Sequence, residues 1–210
     1  MNQRLLVVAS VVLLIVAFMF AAKQYQASQS APTMSKEQQA RLMPSYAPTL
    51  GPSDAKVTLV EFFDPACGTC AQFSPLTKAL VKEYGGKLRL VLRYAPFHEG
   101  SETVVQMIEA AKAQGKYWEA LSALLASQQT WVFNHRVFPE RAWPVLEQAG
   151  VDIVALKEAM KDPKIQAIIA QDVADGKALG VSKTPSFFVN GTPLERFGYE
   201  PLVQLIKSYM

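Results

Sequence analysis

The chain opens on an uninterrupted apolar run, LLVVASVVLLIVAFMFAA from Leu5 to Ala22, preceded by Arg4 and followed by Lys23. A run that is apolar on every helical face belongs in lipid or in a targeting signal. Its 18 residues exceed the apolar core of a removable leader, and the exit Phe20-Ala21-Ala22-Lys23 lacks an A-x-A cleavage pattern. As a helix the run reaches about 27 Å, close to the thickness of a hydrocarbon core. The pattern therefore predicts an uncleaved anchor over residues 1–23, with a cytoplasmic amino terminus and an exported carboxyl domain; a cleaved signal sequence is the alternative. Residues 24–46 are polar and weakly periodic, a tether with a short helix over Ser35 to Met43.

From residue 47 the pattern becomes that of a globular domain. Val57 to Phe63 (VTLVEFF) is β-branched and aromatic, which predicts a strand. Helical pattern runs from Gly68 to Tyr84 and stops at Gly85-Gly86, and Leu88 to Tyr94 (LRLVLRY) predicts a second strand. Strand, helix and strand at this length form a right-handed βαβ unit. Residues 101–180 read as helical throughout, punctuated at Gly115, Asn134, Pro144, Gly150 and Asp162-Pro163. Asp162 caps a helix that starts at Pro163, carries Ile165, Ile168, Ile169 and Val173 as its apolar stripe, and ends near Gly180. Ser186 to Val189, Asn190-Gly191 and Thr192 to Leu194 predict a hairpin, and Glu200 to Met210 a last amphipathic helix.

Composition then narrows the chemistry. Lys and Arg number 21 against 18 Asp and Glu, with no basic block and no basic–aromatic interleaving, so nucleic acid is not the expected partner. Only two cysteines are present, Cys67 and Cys70, which excludes a disulfide-stapled scaffold and a four-thiolate zinc site.

Those cysteines open the first helix of the domain. Positions i and i+3 share a helical face, so the pair can close and reopen a disulfide across one turn. Cys67 falls where free N–H groups and the positive end of the helix dipole stabilise a thiolate, which makes it the expected nucleophile. Cys70, one turn inward, would resolve the mixed disulfide. Two alternatives stay open: an inert bridge pinning the helix start, although so short a loop removes little chain entropy, and a copper or other metal site using Cys67, Cys70 and His98. His135 reads as a surface or packing residue. Glu61 interrupts an apolar strand on the face of Leu59 and Phe63, so its carboxylate is expected to be buried, raised in pKa and able to take the Cys70 proton; a solvent-facing strand-edge carboxylate is the alternative. Asp64 reads as a turn residue. Thr184-Pro185 precedes a strand, and local sequence leaves its isomer open.

The segments VTLVEFFDPACGTC, LRLVLRYAPF and GVSKTPSFFVNGTPL together resemble the exported DsbA-like branch of the thioredoxin superfamily over residues 47–210. The resemblance implies an α/β thioredoxin-like fold with an all-helical insertion between its βαβ and ββα halves. It also implies that Cys67 attacks, Cys70 resolves, Glu61 is the buried acid, and Pro185 is a cis-proline beside which, with Thr184, an extended substrate binds. Phe62, Phe63 and Tyr94 match the strand pattern as core residues. The dipeptide Gly68-Thr69 departs from the best-known oxidase in lacking a histidine, which implies a less oxidising couple. Thr184 before the proline is closer to the isomerases and reductases, yet the tether is too short to be an isomerase's dimerisation domain. The expectation is a thiol:disulfide oxidoreductase anchored to the inner membrane and facing the periplasm. It would act on exported proteins, exchange electrons with a membrane redox partner and need no organic cofactor, the dithiol itself being the redox group. A periplasmic metal-binding or metal-delivery protein is the alternative.

Overall fold

The computed structural model describes residues 12–20 and 35–210. Residues 12–20 are helical and lie outside the unit formed by Met34–Met210. Among the described residues no helix is long and apolar enough to cross a membrane. The ends of the apolar run, its flanking Arg4 and Lys23, and residues 24–34 of the tether lie outside the described residues, so the expected anchor is described only in its middle.

The larger unit begins with α1 (Lys36–Leu42), started by a reciprocal capping box in which Ser35 and Gln38 each accept the other's backbone N–H. Next come β1 (Thr49–Leu50), β2 (Val57–Phe63), α2 (Gly68–Glu83) and β3 (Leu88–Tyr94). The middle of the chain holds α3 (Ser101–Ala110), α4 (Tyr117–Ala126), β4 (Val132–Phe133), β5 (Arg136–Val137), α5 (Trp143–Gln148), α6 (Ile153–Ala159) and α7 (Pro163–Ala178). The last elements are β6 (Ser186–Val189), β7 (Thr192–Pro193) and α8 (Tyr199–Lys207). The main sheet has the order β1-β3-β2-β6-β7, with β2 and β3 parallel and the other neighbours antiparallel. The βαβ and ββα halves thus join along β2–β6, where Glu61 lies opposite Phe187.

All seven residues of β2 are buried, because both faces of the sheet are covered. Val57, Leu59 and Phe63 enter the larger core, while Val60 and Phe62 point to a second cluster with Leu42, Val91, Val181 and Phe188. On that second face α7 comes close at Gly176, where a Cβ would stand 3.3 Å from the Phe62 ring. Leu42 of α1 is 1% exposed in the same cluster, so residues 35–46, expected as the end of a tether, are part of the folded unit.

Two further differences from the sequence pattern have physical reasons. The insertion is not all helical, because β4 and β5 form a hairpin around Asn134 and His135, both in the left-handed region at φ 50 and 63°. Val132-Phe133 and Arg136-Val137 flank a turn-forming Asn, a signal too short to stand out amid helical periodicity. The buried face of α7 carries Ile165, Ile169, Asp172 and Gly176, whereas Val173 is 43% exposed. Two positions on this stripe are not apolar, which shifts the apparent stripe by one residue. The predicted hairpin turn at Asn190-Gly191 is present, and Asn190 Oδ1 accepts the Thr58 N–H at 2.8 Å, tying the turn to β2.

Asp172 is on that face because of Arg93. The Arg93 guanidinium is fully buried at the end of β3 and is held by Asp172 at 2.8 Å and by Asp175 at 2.9 Å. Asp172 also accepts the Tyr94 N–H at 2.8 Å and the Tyr46 hydroxyl at 2.7 Å. Removing one partner of such a set leaves a charge buried and unpaired, a larger effect than losing an exposed ion pair. Asp172→Ala is expected to cost about 3–5 kcal/mol, against under about 1 kcal/mol for Arg41→Ala at the exposed end of the network. Urea unfolding of the two variants checks the order, and equal losses would contradict it.

Candidate active site

Cys67 is the N-cap residue of α2, with φ −78° and ψ 118°, and its Sγ lies 3.3 Å from the Thr184 carbonyl oxygen. Both cysteines are free, Cys70 being 1% exposed on the buried side of the helix. The two thiols have opposite electrostatics. A hydrogen bond from Cys70 is the largest influence on Cys67 and, with Thr184 and the N–H groups of Cys70 and Thr69, lowers its pKa from an ordinary 9.0 to about 5 against the opposing effect of burial. Burial pushes Cys70 far above the ordinary thiol range, and the Cys67 hydrogen bond and the Glu61 and Cys67 charges push the same way. The helix start therefore holds one thiolate and one protonated thiol. This arises without a histidine in Gly68-Thr69, since the donors are the second cysteine, Thr184 and backbone amides.

Glu61 is 3% exposed on the face expected from its period, and the strand-edge alternative does not hold. Burial first, and then the Cys67 charge, raise its pKa from 4.5 to about 8, with Lys78 acting against them. A cavity of about 10 Å³, room for about one water, is lined by Glu61, Cys70, Thr77 and Lys78. Lys78 escaped the sequence reading. It donates to Ser122 Oγ at 2.7 Å, and burial lowers its pKa. The signal was available, because Cys70, Phe73, Thr77 and Lys78 follow helical spacing along one face of α2.

The Thr184–Pro185 peptide bond is cis and places Thr184 against Cys67. Beside it a groove of about 160 Å³ is lined by Val181, Lys183, Pro185, Phe187, Leu194 and Phe197. His98 is not brought into a ligand set with the cysteines. Its Nδ1 lies 2.7 Å from Asp64 Oδ2, its ring stacks on His135 at 6.0 Å, and among the described residues no group of three or more His, Cys, Asp or Glu could hold a metal ion. Asp64, expected only to shape a turn, is fully buried and accepts several hydrogen bonds.

A β2–α2–β3 unit with a dithiol at the helix start and a cis-proline facing it defines a class of redox fold. A family model described as Thioredoxin matches residues 45–208, and the chain belongs to that family. Among solved structures, a thioredoxin-like oxidoreductase from Silicibacter pomeroyi is 30% identical with a TM-score of 0.70, covering 80% of this chain and 95% of that one. BdbD from Bacillus subtilis in its oxidised form is 22% identical with a TM-score of 0.66, covering 78% and 92%, and shares the fold. A curated relative, the Na(+)/H(+) antiporter NhaA 3 of Salinispora tropica, is 34% identical over 144 residues, 67% of this chain. The match spans about a fifth (21%) of that relative's length.

The raised Glu61 pKa makes a stability prediction. Below about 4.5 Glu61 is protonated folded or unfolded; between 4.5 and about 8 the unfolded chain gives up a proton that the fold retains, so stability is lost as pH rises through that window. Cys67, with its pKa lowered, contributes the opposite slope, so the comparison is between Glu61→Gln and wild type at each pH. The variant is expected to gain stability relative to wild type between about pH 5 and about pH 8.5. Urea midpoints of the reduced proteins that keep a constant difference would contradict this.

Proposed function

We propose that the chain is a thiol:disulfide oxidoreductase for exported proteins, held at the inner membrane by residues 5–22, with Met34–Met210 in the periplasm. The observation that carries the proposal is the unequal dithiol: a Cys67 thiolate at the start of α2 beside a buried, protonated Cys70 that shares a small cavity with Glu61. The solved oxidoreductase at 30% identity supports it. The length and apolar character of residues 5–22 support the anchor.

In the reducing direction, Cys67 Sγ⁻ attacks one sulfur of a substrate disulfide; the substrate S–S bond breaks and its other sulfur leaves as a thiolate. Cys67 is then neutral, which removes the second cause of the high Glu61 pKa, and the Glu61 carboxyl gives up its proton, through water, to the leaving substrate thiolate. Glu61 then takes the Cys70 proton through the shared cavity. The Cys70 thiolate attacks Cys67 Sγ, closing the Cys67–Cys70 bond and breaking the bond to the substrate, whose second sulfur leaves as a thiolate and takes from Glu61 the proton that came from Cys70, so the substrate ends as a dithiol. The same steps in reverse oxidise a substrate dithiol. A membrane protein that donates or accepts the electron pair restores the starting state. The cis Thr184–Pro185 edge and the groove beside it, which offers both polar and apolar lining, suit an extended polypeptide chain.

Reduction of insulin disulfides by the purified protein tests the reading. Cys67→Ser is expected to lower the rate to background, while Glu61→Gln lengthens the life of the mixed disulfide by on the order of 100-fold without slowing attack. Turnover that survives Cys67→Ser would overturn the assignment.

A further inference from the structure

Asp64 stands between the end of β2 and the start of α2, with no part of its surface exposed. Its Oδ1 accepts the Ala66 N–H at 2.8 Å and also the Ser101 hydroxyl. Its Oδ2 accepts the Phe97 N–H at 2.7 Å and the His98 N–H at 2.9 Å, and faces His98 Nδ1 at 2.7 Å. The Asp64 main chain is engaged too: its carbonyl accepts the Cys67 N–H at 3.0 Å, and its N–H donates to the Cys70 sulfur. A turn needs one of these contacts, the bond to Ala66. The other carboxylate contacts come from the loop between β3 and α3 and from Ser101, the first residue of α3, more than 30 residues away in sequence.

The arrangement has a mechanical consequence. The N–H groups of Ala66 and Cys67 both bond to Asp64, so the turn into α2 cannot shift without breaking the contacts to Phe97, His98 and Ser101. The far side of that loop is held in turn by the β4–β5 hairpin, since the Val137 N–H donates to the Glu99 carbonyl at 3.1 Å and His135 stacks on His98. We propose that Asp64 is the positioning residue of this site, its buried carboxylate locking the turn that delivers Cys67 to the start of α2 onto the Phe97–Ser101 loop, so that the sulfur stays against the free N–H groups of the helix. The proposal rests on Cys67 being the attacking thiol.

Charge and position act with opposite sign here, which makes the proposal testable. The Asp64 negative charge by itself disfavours a nearby thiolate, so deleting the charge alone would make Cys67 more acidic. Releasing the turn would make it less acidic by moving the sulfur off its donors. The other ionisable groups facing this region are Glu61, Cys70, His98, His135, Glu99 and Arg136, and none is changed in the variants.

The experiment follows iodoacetamide alkylation of Cys67, resolved from Cys70 by peptide mass, across pH in the reduced full-length chain, together with its redox equilibrium against glutathione. Wild type, Asp64→Ala, Asp64→Asn and Ser101→Ala are compared. The wild-type inflection is expected near 5. Asp64→Ala is expected to move it up by about one unit or more and to make the couple less oxidising by about tenfold. Asp64→Asn, which keeps one acceptor oxygen, is expected to fall between. Ser101→Ala removes one donor and leaves the carboxylate charged, so a smaller upward shift there decides the matter if Asp64→Ala fails to fold. A profile that stays in place while the melting temperature falls, or one that moves down, overturns the positioning role. A wild-type Cys67 with no inflection below neutral pH overturns the exchange reading itself, and the proposal with it.

Discussion

The structure depends on where α2 begins. The N-cap position sets Cys67 one turn from the Cys70 thiol, whose hydrogen bond is the largest influence lowering its pKa, beside Thr184 and over the unpaired N–H groups of Thr69 and Cys70, so placement rather than any acidic or basic neighbour favours its thiolate. Cys70 lies one turn further on, inside the core, where burial keeps its proton in place. One helical turn therefore separates two thiols of opposite character. The short dipeptide Gly68-Thr69 needs no chemistry of its own beyond spacing and the Thr69 N–H.

That placement is supported by ionisable groups buried around the ends of β2 and β3. Glu61 within β2 faces the Cys70 side, and Asp64 just beyond the strand grips the turn. Arg93 in β3 faces the opposite layer, where Asp172 and Asp175 of α7 meet it. Burying charge is costly unless it is paired and hydrogen-bonded. Arg93 meets that condition in full, which suits a structural role. Glu61 meets it only in part, with Lys78 on the same small cavity as its counter-charge, and its raised pKa keeps a proton on the carboxyl near neutral pH. The contrast between a satisfied and an under-satisfied buried charge separates the scaffold from the chemistry.

Much of this was legible in the sequence. The apolar runs Val57–Phe63 and Leu88–Tyr94 match the two central strands residue for residue, and Asp162-Pro163 and Asn190-Gly191 mark a helix start and a hairpin turn, because each depends on local periodicity or backbone preference. Cys67, Cys70 and Glu61 could be found because a C-x-x-C at a helix start and an acid in an apolar strand are anomalies within a few residues. Asp64 was undervalued because four of its five carboxylate contacts come from a distant loop. Arg93 and Asp172 were missed for the same reason, since an alternating strand accommodates a charged residue until the opposite face is known to be covered. The β4–β5 hairpin was too short for its pattern to outweigh the helices around it.

The central claim is that Cys67 attacks and Cys70 releases. The most direct test is to express Cys70→Ser in cells and trap thiols with acid before electrophoresis under non-reducing conditions. The account predicts a ladder of adducts with exported proteins that collapses on reduction and disappears when Cys67 is also replaced. No adducts, or adducts that persist without Cys67, would contradict it.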